Sequence, residues 1–328
     1  MTFSRTSRSF LAIAAASLLA LSGCGGGDGG ESGADLTEVN FGYIADYNGA
    51  SLLAVADDQK LWAKNGLEVE AKVFTNGPLQ ITAMNAGDLD YGYIGPGAVW
   101  LPASGKAKIV ALNSLGNADR VIAQAGITDL SRLKGKKIGV PEGTSGDMIL
   151  TLALQKAGLA ATDVERVPMD AATIVTAFGA GQIDAAGIWY PLLNNIKQRK
   201  PDLVELAKNA DFADQMAFPT AFVAGNEPAA DTEKTGKVLQ VLREAMDFRA
   251  QNADTTIALT AKLLNKSADD VKADAANSEM LDSATLDGYL ADGTVTKWLT
   301  GMGDYFVGAG KLANNPAPST YYAGGGLQ

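Results

Sequence analysis

"AGDLDYGYIGP" at residues 86–96 and "AGQIDAAGIWYP" at residues 180–191 share the pattern Ala-Gly-x-[Leu/Ile]-Asp, with an isoleucine at the matching place further on, all at an offset of 94 residues. The echo extends upstream. "LWAKNGLEVEAKVF" (residues 61–74) and "ALQKAGLAATDVERVPM" (residues 153–169) both read as a helix stopped by Gly-Leu and followed by a strand. Because order and spacing agree, the two halves read as a duplication, or as two lobes of one architecture.

Working outward, the first lobe parses into strands over 39–44, 67–74, 90–94 and 108–115, separated by helices over 50–64, 78–86 and 98–104. The second gives strands over 136–140, 164–169 and 183–188, with helices over 145–157, 171–180 and 191–198. Alternation of this kind predicts an α/β fold in which each lobe is a mostly parallel sheet flanked by helices. After "FPTAFVAG" (residues 218–225) the pattern turns to helices alone, over 232–251, 255–264, 268–276 and 294–308. These should pack back on the first lobe as a helical C-terminal tail. The globular part, about 295 residues from residue 34 on, exceeds what one hydrophobic core usually holds. With 47% hydrophobic and 20% charged residues overall, two cores are affordable in composition.

The amino terminus reads differently. "LSGCGGGDGG" (residues 21–30) contains Cys24, the only cysteine of the chain, and there is no histidine. A lone cysteine without histidine can build neither an intramolecular disulfide nor a Cys/His metal site or nucleophilic dyad. Arg5 and Arg8 precede an apolar run over 10–21 that is too short to span a bilayer. Leu21-Ser22-Gly23-Cys24 resembles the bacterial lipobox, which implies a signal peptide over 1–23 and diacylation of Cys24. Residues 24–35, rich in Gly, Ser and acid, read as a flexible tether. The expected location is therefore extracytoplasmic, with the membrane reached through a lipid anchor only. Residues 24–328 carry 25 basic and 37 acidic side chains, a net charge of −12, and no Lys/Arg-rich block, which argues against nucleic acid as a partner.

"LKGKKIGVPEGTSGDMILTLALQKAGL" (residues 133–159), "AFGAGQIDAAGIWYPLL" (residues 177–193) and "MNAGDLDYGYIGPGAVW" (residues 84–100) together resemble the nitrate/sulfonate/taurine solute-binding proteins of ABC importers. The resemblance implies a two-lobed periplasmic-binding-protein fold of type II, with lobe one at 36–117 plus 225–328 and lobe two at 118–224. The chain would cross near 116–120 and return near 222–226, and closure about these crossings would capture a small molecule. It also implies a monomer that delivers solute to a permease and its ATPase, without a cofactor or metal.

In open α/β sheets the binding crevice lies beyond the carboxyl ends of the strands. Four loops meet that condition here: "ADYNGAS" (45–51), "GPGAVW" (95–100), "PEGTSGD" (141–147) and "WYP" (189–191). Thr144 and Ser145 bring hydroxyls to a helix N-terminus suited to an anion, although such residues also serve as simple caps. Gly95, Pro96 and Gly97 offer a second backbone-amide site. Trp189 and Tyr190 are candidate aromatic walls, with Tyr47 and Trp100 as weaker ones, and Trp62 reads as core. Asp46, Asp119 and Glu142 are acids that could meet the ammonium of a zwitterion, whereas Asp170 reads as an N-cap. Arg120 could face an anion or hold the hinge.

The expected ligand is a small organic sulfonate or amino-sulfonate such as taurine. A nitrogen-rich or cationic molecule, a pyrimidine or guanidinium compound, is the alternative. A ligand-sensing subunit shares all these features. Relatives of this fold include a histidine- and iron-dependent pyrimidine synthase of thiamine biosynthesis, but a chain without histidine has no catalytic residues of that kind, and no GxSxG or SxxK occurs in a suitable setting.

Overall fold

Gly87 and Gly181, the glycines of the two echoed Ala-Gly pairs, both take left-handed backbone angles, with φ of 82° and 71°. A helix ends at each place because only a residue without Cβ adopts that conformation at no steric cost. The computed structural model describes residues 36–327. Cys24, the signal segment 1–23 and the tether 24–35 lie outside the described residues.

The first lobe is built from β1 (Thr37–Ile44), α1 (Tyr47–Asp58), α2 (Leu61–Lys64), β2 (Leu67–Phe74), α3 (Gly77–Ala86), β3 (Tyr91–Ile94), α4 (Trp100–Ala103) and β4 (Lys108–Gly116). The chain then passes through residues 117–118 to the second lobe, with β5 (Asp119–Ala123), β6 (Lys137–Val140), α5 (Ser145–Lys156), β7 (Glu165–Pro168), α6 (Ala171–Gly179), β8 (Ala185–Trp189), α7 (Leu192–Arg199) and β9 (Val204–Lys208). It returns to β10 (Pro219–Ala224) and the tail of α8 (Asn226–Ala230), α9 (Thr232–Gln251), α10 (Ala253–Leu264), α11 (Ala268–Ala275), β11 (Ser278–Met280), α12 (Ser283–Ala291) and α13 (Thr294–Gly308).

The two sheets have the same plan. Their orders are β2-β1-β3-β10-β4-β11 and β7-β6-β8-β5-β9. In each, three strands run parallel and the fourth, the strand that has just arrived from the other lobe, is antiparallel. This corrects one expected boundary. β10 pairs with β3 and β4 of the first sheet, so the return crossing lies upstream of Pro219 and not near 222–226. Every residue of β10 is buried, and a strand buried on both faces carries no periodicity that says which sheet it will join.

Two further differences have local causes. The helix expected over 50–64 starts earlier, because the Asp46 carboxylate accepts from the Gly49 N–H at its N-cap, and it breaks at Lys60, where φ is 55°. Strands β5, β9 and β11 and helix α12 were not separable from loops in the sequence.

The tail does return to the first lobe. Val238, Val241, Leu242, Ala245 and Met246 of α9 pack with Leu52, Leu53 and Val55 of α1 and with Phe41 and Trp62. Burying each large aliphatic chain contributes about 1.5–3 kcal/mol. Arg249 of α9, 2% exposed, donates to the side chain and carbonyl of Asn113 on β4 and to the Leu281 carbonyl. Burial pulls its guanidinium pKa down to about 10.

Candidate functional site

The carboxyl ends of β1, β2, β3, β6 and β8 open toward one another, and the loops beyond them enclose a cleft of about 510 Å³, counted with its opening to solvent. Asp46 and Asn48 enter from the start of α1, Asn76 and Gly77 from the start of α3, and Gly95, Pro96 and Ala98 from the turn after β3. The second lobe supplies Asp119, Thr144, Ser145, Trp189 and Tyr190. Gly116 and Ala118, from the crossing, form the floor between them.

The electrostatics are unequal. The lining contains two carboxylates, one from each lobe, and neither lysine nor arginine. Asp46 is 6% exposed and Asp119 3%. Burial, reinforced by the neighbouring Asp274 carboxylate, holds the Asp46 carboxyl well above the usual carboxylate range, and Asp119 contributes to that rise. Asp119 is itself raised by burial, against which hydrogen bonds from Ser145 and Asn209 act. Two carboxylates brought toward each other in a low-dielectric cleft repel unless a proton or a cation sits between them.

Beside Asp119 lies the start of α5, whose Ser145 hydroxyl donates to that carboxylate. Thr144 is the N-cap residue of α5, yet its hydroxyl donates to the Pro141 carbonyl at 2.5 Å and no side chain caps the helix. The first turn of this 12-residue helix therefore has no side-chain cap, and Thr144 and Ser145 at its start line the cleft. The role of a simple cap, open for Thr144 in the sequence, is not the one it takes. Asp170, by contrast, caps α6 by accepting from the Thr173 N–H.

Trp189 is 6% exposed and faces two ways: it lines the cleft and packs on Ile174, Leu193 and Ile196 of the second lobe's core. Tyr190 lines the cleft as well, with its hydroxyl accepting from Lys197 and its ring 5.3 Å from the Arg120 guanidinium. Arg120 sits just past the crossing between the sheets, on β5. It bridges Glu205, the Asn117 carbonyl and Asn277, and it does not line the cleft.

Besides Arg120, four expected site residues fall outside. Tyr47 turns into a small cluster with Ala261 and Val271 of the tail, because starting α1 at this residue points its side chain toward α10 and α11. Glu142 is exposed at a loop tip. Gly97 lies against the other lobe: a Cβ there would come within 2.2 Å of the Thr144 backbone, so the residue is a close inter-lobe contact rather than part of the lining. Trp100 also leaves the cleft and donates its indole N–H to the Gly143 carbonyl at 3.2 Å.

Sequence reasoning missed Asn48, Asn76, Tyr93 and Thr220. "TNGP" after β2, with Asn76 capping α3 and Pro78 in its first turn, was a readable helix start that could have nominated its loop. Tyr93 and Thr220 carried no such signal, since both are strand positions. They join through the Tyr93 hydroxyl, Thr220, Ser114 and Asn48 in a hydrogen-bonded wall. Among the described residues no cluster of His, Cys, Asp or Glu is arranged to hold a metal, and no helix is long and apolar enough to cross a membrane.

Residues 50–256 match the family described as NMT1/THI5 like. A Brucella abortus protein described only as a binding protein is 52% identical over 290 residues, covering 88% of this chain and 91% of that one. The taurine-binding periplasmic protein of Escherichia coli is 28% identical over 159 residues, 47% of this chain and 50% of its own. Among solved structures, the alkanesulfonate-binding protein SsuA of Xanthomonas axonopodis pv. citri, bound to MOPS, superposes with a TM-score of 0.70 at 21% identity, covering 88% and 99% of the two chains. A desulfurization enzyme shares the fold with a TM-score of 0.64 at 14% identity, covering 89% and 97%.

Proposed function

Because the chain belongs to the NMT1/THI5-like family, we propose that it is an extracytoplasmic solute-binding protein of an ABC importer that captures a small amino-sulfonate of the taurine type. One observation carries the ligand class: a single cleft is lined both by the uncapped start of α5, with Thr144 and Ser145, and by the Asp46 and Asp119 carboxylates from opposite lobes, Asp119 accepting from the Ser145 hydroxyl. A tetrahedral anion suits helix-end amides and hydroxyls, and an ammonium relieves the repulsion between two carboxylates from opposite lobes. Trp189 and Tyr190 offer an apolar wall for the short linker between the charges. The sulfonate ligands of the taurine-binding and alkanesulfonate-binding relatives support this reading. No nucleophile-base pair is assigned in the cleft, and the protein is read as a carrier rather than an enzyme.

Anchoring through acylated Cys24, action as a monomer, and partnership with a permease and an ATPase complete the proposal. A thermal-shift panel tests the ligand class. At 100 times its dissociation constant a solute adds about 2.7 kcal/mol of stability. Taurine should raise the melting temperature and sugars and peptides should not, and Thr144→Ala with Ser145→Ala should erase the rise.

The absence of Lys and Arg from the cleft lining favours one second reading, a cationic or nitrogen-rich solute held by Asp46 and Asp119. Stabilisation by a guanidinium compound or an aminopyrimidine, with no response to any sulfonate, would select it.

A further inference from the structure

On the side of α5 away from the cleft, the two lobes touch through a set of polar contacts that all converge on the loop carrying Thr144 and Ser145. Asp147, in the first turn of α5, accepts from the Gly143 N–H at 2.9 Å and pairs with Arg166 of its own lobe. The oxygen that accepts from Gly143 also faces Lys311 of the first lobe's tail at 3.2 Å, while the other takes Arg166. Trp100 of the first lobe donates to the Gly143 carbonyl, Tyr305 of α13 donates to the Met148 carbonyl at 3.3 Å, and the Lys311 ammonium lies 5.9 Å from the Trp100 ring. The Asp147 carboxyl is held below the usual range in spite of burial, through the Gly143 N–H and the two cations.

We infer that Lys311, with Trp100 and Tyr305, is a latch that positions the α5 loop and holds the lobes closed on solute. The reasoning is geometric. Arg166 and the Gly143 N–H belong to the same lobe as Asp147 and stay with it when the lobes part, whereas Lys311, Trp100 and Tyr305 belong to the other lobe and lose their partners. Their contacts are therefore realised in the closed form alone, and any free energy they contribute shifts the opening equilibrium. Because the latch grips Gly143 and Asp147, it also fixes the backbone on either side of Thr144 and Ser145. Lys311 touches no part of the cleft, so its effect on solute is exerted through Asp147.

This inference rests on the solute-binding reading, and its test is arranged to fail separately from it. Dissociation of taurine is followed by stopped flow for the wild type, Lys311→Met and Lys311→Arg, and all three are compared by small-angle scattering in the absence and presence of taurine. A partly exposed ion pair of this kind predicts roughly 2- to 5-fold faster dissociation for Lys311→Met, with little change in association, and recovery in Lys311→Arg. High salt should narrow the gap between wild type and Lys311→Met. If taurine does not bind, the ligand assignment falls and scattering alone decides: a larger radius of gyration for Lys311→Met, restored by Lys311→Arg, supports the latch. Identical scattering from wild type and Lys311→Met, together with identical release where taurine binds, overturns it.

Discussion

Replacing Asp119 by asparagine separates the cost of a binding group from its benefit. The carboxylate is buried, receives hydrogen bonds from Ser145 and Asn209, and is pushed to a higher pKa by burial. A raised carboxyl pKa means that the folded state holds its proton more tightly than the unfolded chain, so ionised Asp119 makes the protein less stable as pH rises. Asp119→Asn removes that penalty, keeps an oxygen to accept from one partner, and leaves the hydrogen bond from the residue 119 N–H to the Asn209 side-chain amide oxygen in place. At pH 7 the variant should melt at the wild-type temperature or up to about 4 °C above it. Binding should suffer, because truncating one partner of a buried charge pair costs upward of 2 kcal/mol. With Asp46 left to share the ammonium, about 2–3 kcal/mol is expected, or roughly a 30- to 160-fold weaker affinity for taurine. The assay is calorimetric titration with taurine and, in parallel, with ethanesulfonate, which lacks the amine. The loss should be confined to taurine. Equal weakening for both ligands, or a drop in melting temperature with taurine affinity unchanged, would refute the assignment of Asp119 to the amine.

Trp189→Ala should both abolish taurine binding and lower the melting temperature by roughly 6–20 °C, since its ring packs on Ile174 and Leu193 and such a deletion costs about 3–5 kcal/mol; thermal denaturation with and without taurine checks both. The Asp274 carboxyl is raised to about 6 by burial, so wild-type stability should fall as pH rises from about 4 to 6, and Asp274→Asn should flatten that slope in a pH series of melting curves. Cys24→Ser should abolish partitioning into detergent while leaving melting unchanged, as judged by phase separation and by calorimetry; equal partitioning of both proteins would remove the lipid anchor.

Much of the architecture was legible because it rests on local chemistry. The paired Ala-Gly motifs mark helix ends through Gly87 and Gly181, and strand β2 and helices α9 and α13 fall at the residues their periodicity predicts. Loops at the carboxyl ends of strands were legible for the same reason, and they brought Asp46, Ser145 and Trp189 to one cleft, which Asp119 joins from the first residue of β5. What escaped was long-range. β10 joins the first sheet through pairing with β3 and β4, which no hydrophobic pattern encodes. Tyr47 and Gly97 were misread because their loops are near the cleft while the side chain of one and the backbone of the other serve the tail and the opposite lobe. Tyr93 and Thr220 lie on strands and reach the cleft only through the closing of two sheets around it.

The central claim is that one cleft holds a zwitterion, its anion at the start of α5 and its cation on two carboxylates. Titration of the protein with taurine at pH 7 tests it most directly, with ethanesulfonate and an aminopyrimidine as comparisons. Saturable binding of one taurine per chain, tighter than ethanesulfonate, is the predicted result. Absence of any taurine signal, with saturable binding of the aminopyrimidine, would contradict it.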